Sequence, residues 1–209
     1  MKNNYKIIRQ AISKELADFV YSYFLMKRKV ARKLYDDRYI SPFNYDYGVW
    51  NDAQVPETYS YYSDTAMETL LEKLIEPMSK ETELELIPTY SYARIYKKGD
   101  ILHRHKDRKS CEISATVHLG GDRWPIFLEP SGKINQKGVK VNLNSGDMLI
   151  YKGCELEHWR EPFTKEACVQ VFLHYNRRND KDNNKFDGRE HIGLPEWFKG
   201  RNNVDKTKI

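Results

Sequence analysis

The sequence predicts an α+β protein whose core is a double-stranded β-helix, or jelly roll, with N-terminal helices packed on one sheet. Two observations support this fold class. Apolar residues recur at helical spacing in the first third of the chain, and from about Glu83 the pattern changes to short strands separated by glycine-containing turns. Eight or so short strands with regular turns are typical of a jelly roll.

Length and composition fit one globular domain. The chain has 209 residues, of which 40% are hydrophobic and 31% charged, so it can bury a core and is not disordered. No internal repeat or Gly/Ser/Pro linker divides it. We therefore expect a single domain over 1–209, with mainly helical support in 1–82, the jelly-roll core in 83–176 and a polar C-terminal segment in 177–209.

The expected location is the cytoplasm. No apolar run approaches the roughly 20 residues that cross a bilayer, and the first residues lack the apolar region of a secretory signal. The three cysteines are odd in number and show no CxxC pairing. This pattern argues for a reducing compartment and against a disulfide framework or a zinc site.

Charge alone does not indicate a nucleic-acid partner. The net charge of +5 comes from 35 Lys and Arg against 30 Asp and Glu. A local basic cluster consists of Lys27, Arg28, Lys29, Arg32 and Lys33. Such a cluster is usually a solvated helix face, and nucleic-acid contact stays open as the alternative.

Two helices are expected in the first part of the chain. The first follows Ser13, a suitable N-cap, and has apolar residues at Leu16, Phe19, Val20, Tyr23, Val30 and Leu34. The second starts near Ser63 or Asp64, and Pro77 ends or kinks it. Its apolar stripe is Met67, Leu70, Leu71, Leu74 and Ile75. The tyrosine-rich residues 35–62 between these helices show no clear period.

The predicted strands occupy most of the remaining chain. They are 84–87, 90–96, 112–119, 125–129, 139–143, 148–151, 157–160 and 169–175. Turn sequences containing glycine lie between many of them. In the polar segment that follows, Ile192, Leu194, Trp197 and Phe198 are expected to dock locally.

Three ligand-type residues suggest a metal centre. His105 and Asp107 are two positions apart, so at the end of a strand they point to the same side. His158 follows Asp107 by 51 residues, an interval that holds several strands. Two imidazoles and one carboxylate hold non-haem Fe(II) on one face and leave positions open for other ligands. His103 provides a competing ligand pair with His105.

From residue 90 to residue 175 the chain resembles the 2-oxoglutarate- and Fe(II)-dependent oxygenases, especially their prolyl-hydroxylase-like branch. The matching elements are Tyr96, the turn at Gly99-Asp100, His105-x-Asp107, the strand 112–119, Gly146-Asp147 and His158. The resemblance implies that His105, Asp107 and His158 bind iron and that 2-oxoglutarate chelates it.

The sequence departs from this family where the co-substrate carboxylate would bind. The family commonly has Arg or Lys about ten residues after the distal histidine, but Cys168 stands there. Arg160, two residues after His158, faces the same interior and is our candidate for that carboxylate. The alternative is a solvated residue or an internal ion pair. Tyr96 and His118 by resemblance, and Gln170 by strand parity, are further candidates for contacts with 2-oxoglutarate. The alternatives are a half-buried core aromatic for Tyr96 and satisfied polar residues for His118 and Gln170.

The expected activity is hydroxylation of a peptidyl-prolyl or amino-acid substrate, with release of succinate and CO₂. Fe(II) and 2-oxoglutarate are the expected cofactor and co-substrate, ascorbate is an expected stimulant, and residues 35–62 are a candidate lid. Two alternatives stay open: a nucleic-acid demethylase of the same superfamily, and a non-catalytic jelly-roll binding module. The oligomeric state is not set by the sequence.

Overall fold

The computed structural model describes residues 4–179 and 184–199, which contain ten strands and three α-helices. The strands are β1 (Tyr5–Ile8), β2 (Tyr59–Tyr62), β3 (Leu86–Lys97), β4 (Leu102–His105), β5 (Ile113–Gly121), β6 (Ile126–Leu128), β7 (Val139–Val141), β8 (Met148–Tyr151), β9 (His158–Arg160) and β10 (Ala167–Arg177). The helices are α1 (Lys14–Asp36), α2 (Thr65–Lys73) and α3 (Ile75–Thr82). The mixed helix and sheet architecture agrees with the predicted α+β class.

The strands form two antiparallel sheets. The larger has the order β1-β8-β5-β10-β3-β2, and the smaller has the order β4-β9-β6-β7. From β3 onward the chain passes back and forth between the sheets, and only β6 and β7 are consecutive strands of the same sheet. In the smaller sheet His105 is directly opposite His158, and Leu102 is opposite Arg160. This register brings segments far apart in sequence to one site.

Both predicted helical regions are confirmed. Ser13 caps α1, and its hydroxyl accepts a hydrogen bond from the backbone N–H of Leu16. Asp64 caps α2 in the same way. The second region is two helices, because Pro77 has no N–H to donate to the carbonyl four residues earlier, so the hydrogen-bonding pattern breaks at Leu74.

The strand predictions need two corrections. Residues 84–87 and 90–96 were expected as separate strands, but they belong to one strand, β3, which continues through Pro88. The pairing of β10 with β3 shifts register between Leu173 and Tyr175, next to Pro88. This irregularity accommodates the backbone N–H that proline lacks. Strands β1, β2 and β4 were not expected from the sequence. Each of them is short, with four residues.

Each long strand separates two environments. On β5 and β10 one face is apolar, and this face packs with the helices in the main hydrophobic core. The opposite face points between the two sheets and is largely polar. It carries Ser114, Thr116 and His118 on β5, and Cys168, Gln170 and His174 on β10. The space between the sheets therefore holds buried polar groups from β5 and β10 together with a second apolar cluster, which includes Ile126, Leu128 and Val141 of the smaller sheet and Leu149 of β8.

The segment after β10 packs back on the domain. Arg189 is buried and forms an ion pair with Glu68 of α2, at 2.9 Å. The carbonyl of Leu194 accepts hydrogen bonds from Arg189 and from Ser63. Trp197 remains half exposed and donates to Asp46. Residues 180–183 and 200–209 of the expected polar tail are outside the described residues.

Across the described part of the chain, we find no helix with the length and apolar character that spanning a membrane requires.

Candidate metal centre

The structure brings His105, Asp107 and His158 together at the end of β4 and the start of β9. One ligand atom from each lies within 4.8 Å of the others. Nε2 of His158 is 3.4 Å from Oδ1 of Asp107, and Nε2 of His105 is 3.6 Å from the same oxygen. Separations of this size leave room for an ion between the three atoms. The set contains the two imidazoles and one carboxylate that suit Fe(II).

Backbone carbonyls orient both imidazoles for ligation. Nδ1 of His105 is 2.7 Å from the carbonyl of His103, and Nδ1 of His158 is 3.1 Å from the carbonyl of Leu156. A carbonyl only accepts, so Nδ1 of each ring carries the proton and Nε2 keeps a free lone pair. His103 itself is exposed and contributes its backbone rather than its ring. The competing pair therefore does not form.

Asp107 is fixed by its surroundings. Its N–H donates to the carbonyl of Gly153 at 2.9 Å, and its second oxygen, Oδ2, accepts from the hydroxyl of Ser114 at 2.9 Å. Gly153 packs so closely that an added Cβ would lie 2.4 Å from Oδ2 of Asp107. The carboxylate therefore presents Oδ1 toward the two histidines while Oδ2 is held from behind.

The three ligands affect each other's protonation. Burial raises the pKa of Asp107, but its interactions with His158 and His105 outweigh burial and hold this pKa well below its usual range. Burial lowers the pKa of His105, but its interaction with Asp107 and the hydrogen bond to the carbonyl of His103 leave this pKa above its ordinary value. Asp107 is thus an anion at neutral pH, as a cation ligand must be.

A pocket of about 310 Å³ opens on these ligands. Its walls include aromatic and aliphatic side chains from both sheets, together with one buried arginine, Arg94. Among the lining residues are Tyr90, Tyr92, Arg94, Tyr96, Ile126, Tyr151, Phe172 and His174. Tyr96 is therefore on the pocket wall, and its contact with 2-oxoglutarate stays a prediction.

Arg160 lies inside the protein with its charge uncompensated. It is 1% exposed, and its Nη1 donates to the carbonyl of Trp124. Its Nε and Nη2 have no hydrogen-bond partner, and among the described residues no carboxylate pairs with it. A buried cation without an anion is costly, so the site favours an anionic ligand. The alternative of a solvated residue or an internal ion pair does not fit this environment.

The other predicted co-substrate residues surround Arg160. Nδ1 of His118 is 2.9 Å from Nε2 of Gln170, and Gln170 also donates to Cys168 at 3.2 Å. Burial, together with the charge of Arg160, lowers the pKa of His118 to about 4. Since His118 stays neutral, Arg160 is the cation in this group. His118 and Gln170 contact each other, and both residues, like Arg160, lie behind the residues that line the pocket.

Sequence reasoning missed Arg94, although strand parity could have found it. Arg94 is two residues before Tyr96 on β3 and faces the same interior. It forms an ion pair with Asp52 at 2.8 Å and donates to the side-chain oxygen of Gln54 at 3.0 Å. In contrast to Arg160, it is already paired.

Gln54 was also missed, and nothing in the sequence marked it. Its Nε2 is 2.9 Å from Nε2 of His105, which is the nitrogen available for a metal. Because Nδ1 of His105 carries the ring proton, the amide of Gln54 is the donor in this contact. The segment after β1 and α1 therefore reaches into the candidate metal centre.

The fold is shared with solved structures described as prolyl hydroxylases and 2-oxoglutarate-bound proteins, which are of the family that the sequence resembles. These structures match the chain over most of its length at low identity, and the likeness shows a common fold.

Three solved structures illustrate the match. A prolyl-4-hydroxylase from Pseudomonas putida has a TM-score of 0.58 and 14% identity, covering 85% of this chain and 94% of its own. HygX from Streptomyces hygroscopicus, with nickel, 2-oxoglutarate and hygromycin B bound, has a TM-score of 0.61 and 14% identity, covering 85% and 84%. A viral collagen prolyl hydroxylase from Paramecium Bursaria Chlorella virus-1 has a TM-score of 0.55 and 12% identity, covering 82% and 95%.

No family model and no curated protein sequence matches the chain.

Proposed function

We propose that this protein is an Fe(II)- and 2-oxoglutarate-dependent dioxygenase. One observation carries the proposal. A centre of two histidines and one carboxylate lies near a buried, uncompensated arginine, and this arginine is on the same strand as one of the two histidines. His158 and Arg160 are both on β9 and both point between the sheets. His158 would bind a metal cation, and Arg160 requires an anion. A dicarboxylate that chelates the metal with one end and reaches Arg160 with the other would satisfy both residues.

The strand order supports the proposal. Eight strands, β3 to β10, pass between two four-stranded arrangements, with β3, β10, β5 and β8 on one side and β4, β9, β6 and β7 on the other. We infer that these strands form a double-stranded β-helix. Strands β1 and β2 then extend the larger sheet at its two edges.

The residues of this chain fit the cofactor and the co-substrate. His105, Asp107 and His158 would hold Fe(II), and Arg160 would pair with the distal carboxylate of 2-oxoglutarate. Tyr96 lines the pocket, and its ring is 4.8 Å from that of Trp124, whose carbonyl holds Arg160. When bound, the iron supplies activation of O₂ coupled to decarboxylation of 2-oxoglutarate, with release of succinate and CO₂.

Metal binding would change the contacts of residues near the pocket. A neutral imidazole has one lone pair, and that of His105 now accepts from Gln54. The same lone pair cannot serve the amide and an ion. Metal binding to His105 would therefore release Gln54 from this contact. Because Gln54 belongs to the tyrosine-rich residues 35–62, we keep the proposal that these residues act as a lid over the pocket.

We propose that the protein hydroxylates either a prolyl residue in a peptide or a free amino acid. The support is the likeness to two solved structures named as prolyl hydroxylases. The lining of Tyr90, Tyr92 and Phe172 would pack against an apolar ring and shield the reacting carbon from water. A substrate of this class is small enough, or thin enough as an extended peptide, for the pocket.

Metal binding provides the first test. Apo-protein titrated calorimetrically with Ni(II) should bind one ion, and the variants His105→Ala, Asp107→Ala and His158→Ala should each lose that binding. His103→Ala is the matched control, because its ring is exposed and outside the centre. Equal Ni(II) binding by the wild type and all three variants would refute the metal centre.

Turnover provides the second test. Protein incubated with Fe(II), ascorbate and 2-oxoglutarate should release succinate, and a prolyl peptide or free amino acid should accelerate release and gain one oxygen atom by mass spectrometry. Loss of succinate release in Asp107→Ala links the reaction to the centre. Binding of both Ni(II) and 2-oxoglutarate without succinate release would favour the non-catalytic binding module instead.

A further inference from the structure

Helix α1 carries a second apolar stripe, most of which the core does not use. The buried side of the helix consists of Ala17, Val20, Phe24 and Ala31. The second stripe is Leu16, Phe19, Tyr23, Met26 and Val30. Four of its side chains are exposed, by 40% at Leu16, 69% at Phe19, 59% at Met26 and 49% at Val30. Tyr23 is half-buried, packs against the core and donates its hydroxyl to Asp64. Neither the core nor the metal centre accounts for the four exposed members.

The spacing of the stripe is that of a helix–helix seam. Successive members are separated by three, four, three and four residues, the repeat that keeps apolar side chains facing a partner helix. Leu16, Phe19, Tyr23 and Val30 each precede a buried position by one residue. One residue turns an α-helix by about 100°, so the stripe lies on the flank of the helix beside its buried face, where its four exposed members are accessible to a partner.

Charges beside the stripe change sign along the helix. Glu15 and Asp18 lie near its N-terminal end, and Lys29 and Lys33 lie near its C-terminal end. Within the described residues, Asp18 and Lys29 have no ion-pair partner. A second copy of α1 in antiparallel orientation would set the acidic end of one helix against the basic end of the other. A parallel copy would set like charges together.

We propose that a second copy of this chain docks on the stripe, with α1 against α1 in antiparallel orientation, to form a two-fold symmetric dimer. In such a dimer the same patch serves on both subunits, as two-fold symmetry requires. Phe19 of one copy lies opposite the Met26 and Val30 end of the other. An anionic lipid surface would attract Lys29 and Lys33 but repel Glu15 and Asp18, whereas an antiparallel copy of α1 meets both ends with the opposite charge.

The oligomeric state of the full chain tests the proposal. Sedimentation equilibrium of the wild type should give twice the chain mass of 24.8 kDa. Phe19→Glu and Met26→Glu should each raise the dimer dissociation constant by at least about tenfold, because each places a charge in the apolar seam. Phe43→Glu is the matched control: this phenylalanine is 81% exposed and outside α1, so its variant should stay dimeric. Thermal unfolding midpoints check that all variants are folded.

A charge swap tests the orientation. Asp18→Lys should weaken the dimer, and addition of Lys29→Asp in the same chain should restore it, because each helix then again meets an opposite charge. A wild type that sediments as a monomer at every soluble concentration overturns the proposal. So does a dimer indifferent to Phe19→Glu. A monomer that co-sediments with phosphatidylserine vesicles and loses this in Phe19→Glu assigns the stripe to a lipid surface instead.

Discussion

Replacing Arg160 by methionine is expected to remove 2-oxoglutarate binding and to leave metal binding intact. The guanidinium has two buried nitrogens, Nε and Nη2, without a partner. Two hydrogen bonds from them to a carboxylate, at about 1.5 kcal/mol each, amount to about 3 kcal/mol. This is about a 140-fold increase in the dissociation constant for 2-oxoglutarate. Methionine has a similar length and no charge, so the change removes the interaction and keeps most of the packing.

The same substitution has a second, opposite effect that separates function from folding. In the ligand-free protein Arg160 is a buried cation without a paired carboxylate among the described residues. Removing such a charge relieves its desolvation cost. Arg160→Met should therefore leave the free energy of unfolding unchanged or raise it by about 1 kcal/mol. A loss of ligand binding through misfolding would instead lower it.

Calorimetric titration of 2-oxoglutarate into the Ni(II)-loaded protein measures the predicted loss. Arg94→Met is the informative comparison, because Arg94 is buried like Arg160 but lines the pocket and is paired with Asp52. It should weaken 2-oxoglutarate binding far less. The reasoning is refuted if Arg160→Met binds 2-oxoglutarate within about threefold of the wild type, and the site moves to Arg94 if that variant alone loses binding.

Two further predictions concern the metal centre and acid stability. Gly153→Ala should weaken Ni(II) binding by about tenfold or more, since its methyl group would press on Asp107 and on the carbonyl of Cys111. Gly99→Ala strains the backbone, because Gly99 has a φ of +92°, but its methyl group meets nothing within 4 Å, so this variant should keep Ni(II) binding. Equal effects of the two substitutions on Ni(II) binding would contradict this reasoning. Burial lowers the pKa values of His118 and His174 to about 4. In the unfolded chain the histidine pKa values are near 6.5, so on acidification the unfolded chain takes up protons before the folded protein does. The free energy of unfolding, measured with urea, should therefore fall by about 3 kcal/mol per histidine between pH 6.5 and 4. A stability that stays flat from pH 6.5 to 5, above the range where carboxylates titrate, would show that these histidines are not buried as described.

Local sequence patterns were sufficient to predict elements whose side chains repeat. Helix α1 has a recurrent apolar pattern and a serine cap, and β8 has four residues bounded by a glycine turn on each side. Strands β1, β2 and β4 are equally short, but they have no such signal. For example, β1 is ordered by pairing with β8, more than a hundred residues away. The sequence does not show this contact, because it depends on how the whole sheet is assembled.

Some residues of the candidate site could likewise be predicted from the sequence, and others could not. The spacing of His105, Asp107 and His158, together with strand parity, predicted the three ligands and the inward direction of Arg160. Parity applied to β3 would also have found Arg94. Gln54 was beyond reach, since it comes from residues without a periodic pattern and meets His105 only through the folding of a loop over the pocket.

The division of each long strand into an apolar and a polar face has a consequence for how this scaffold can change over evolutionary time. Stability comes mainly from the side that packs on the helices, in the cluster that includes Ala115, Val117, Val169 and Val171. Residues that shape the pocket are on the other side of the same strands. Substitutions there alter which molecule is accepted without thinning the main core. A lineage could therefore explore new substrates while its thermal tolerance stays nearly constant.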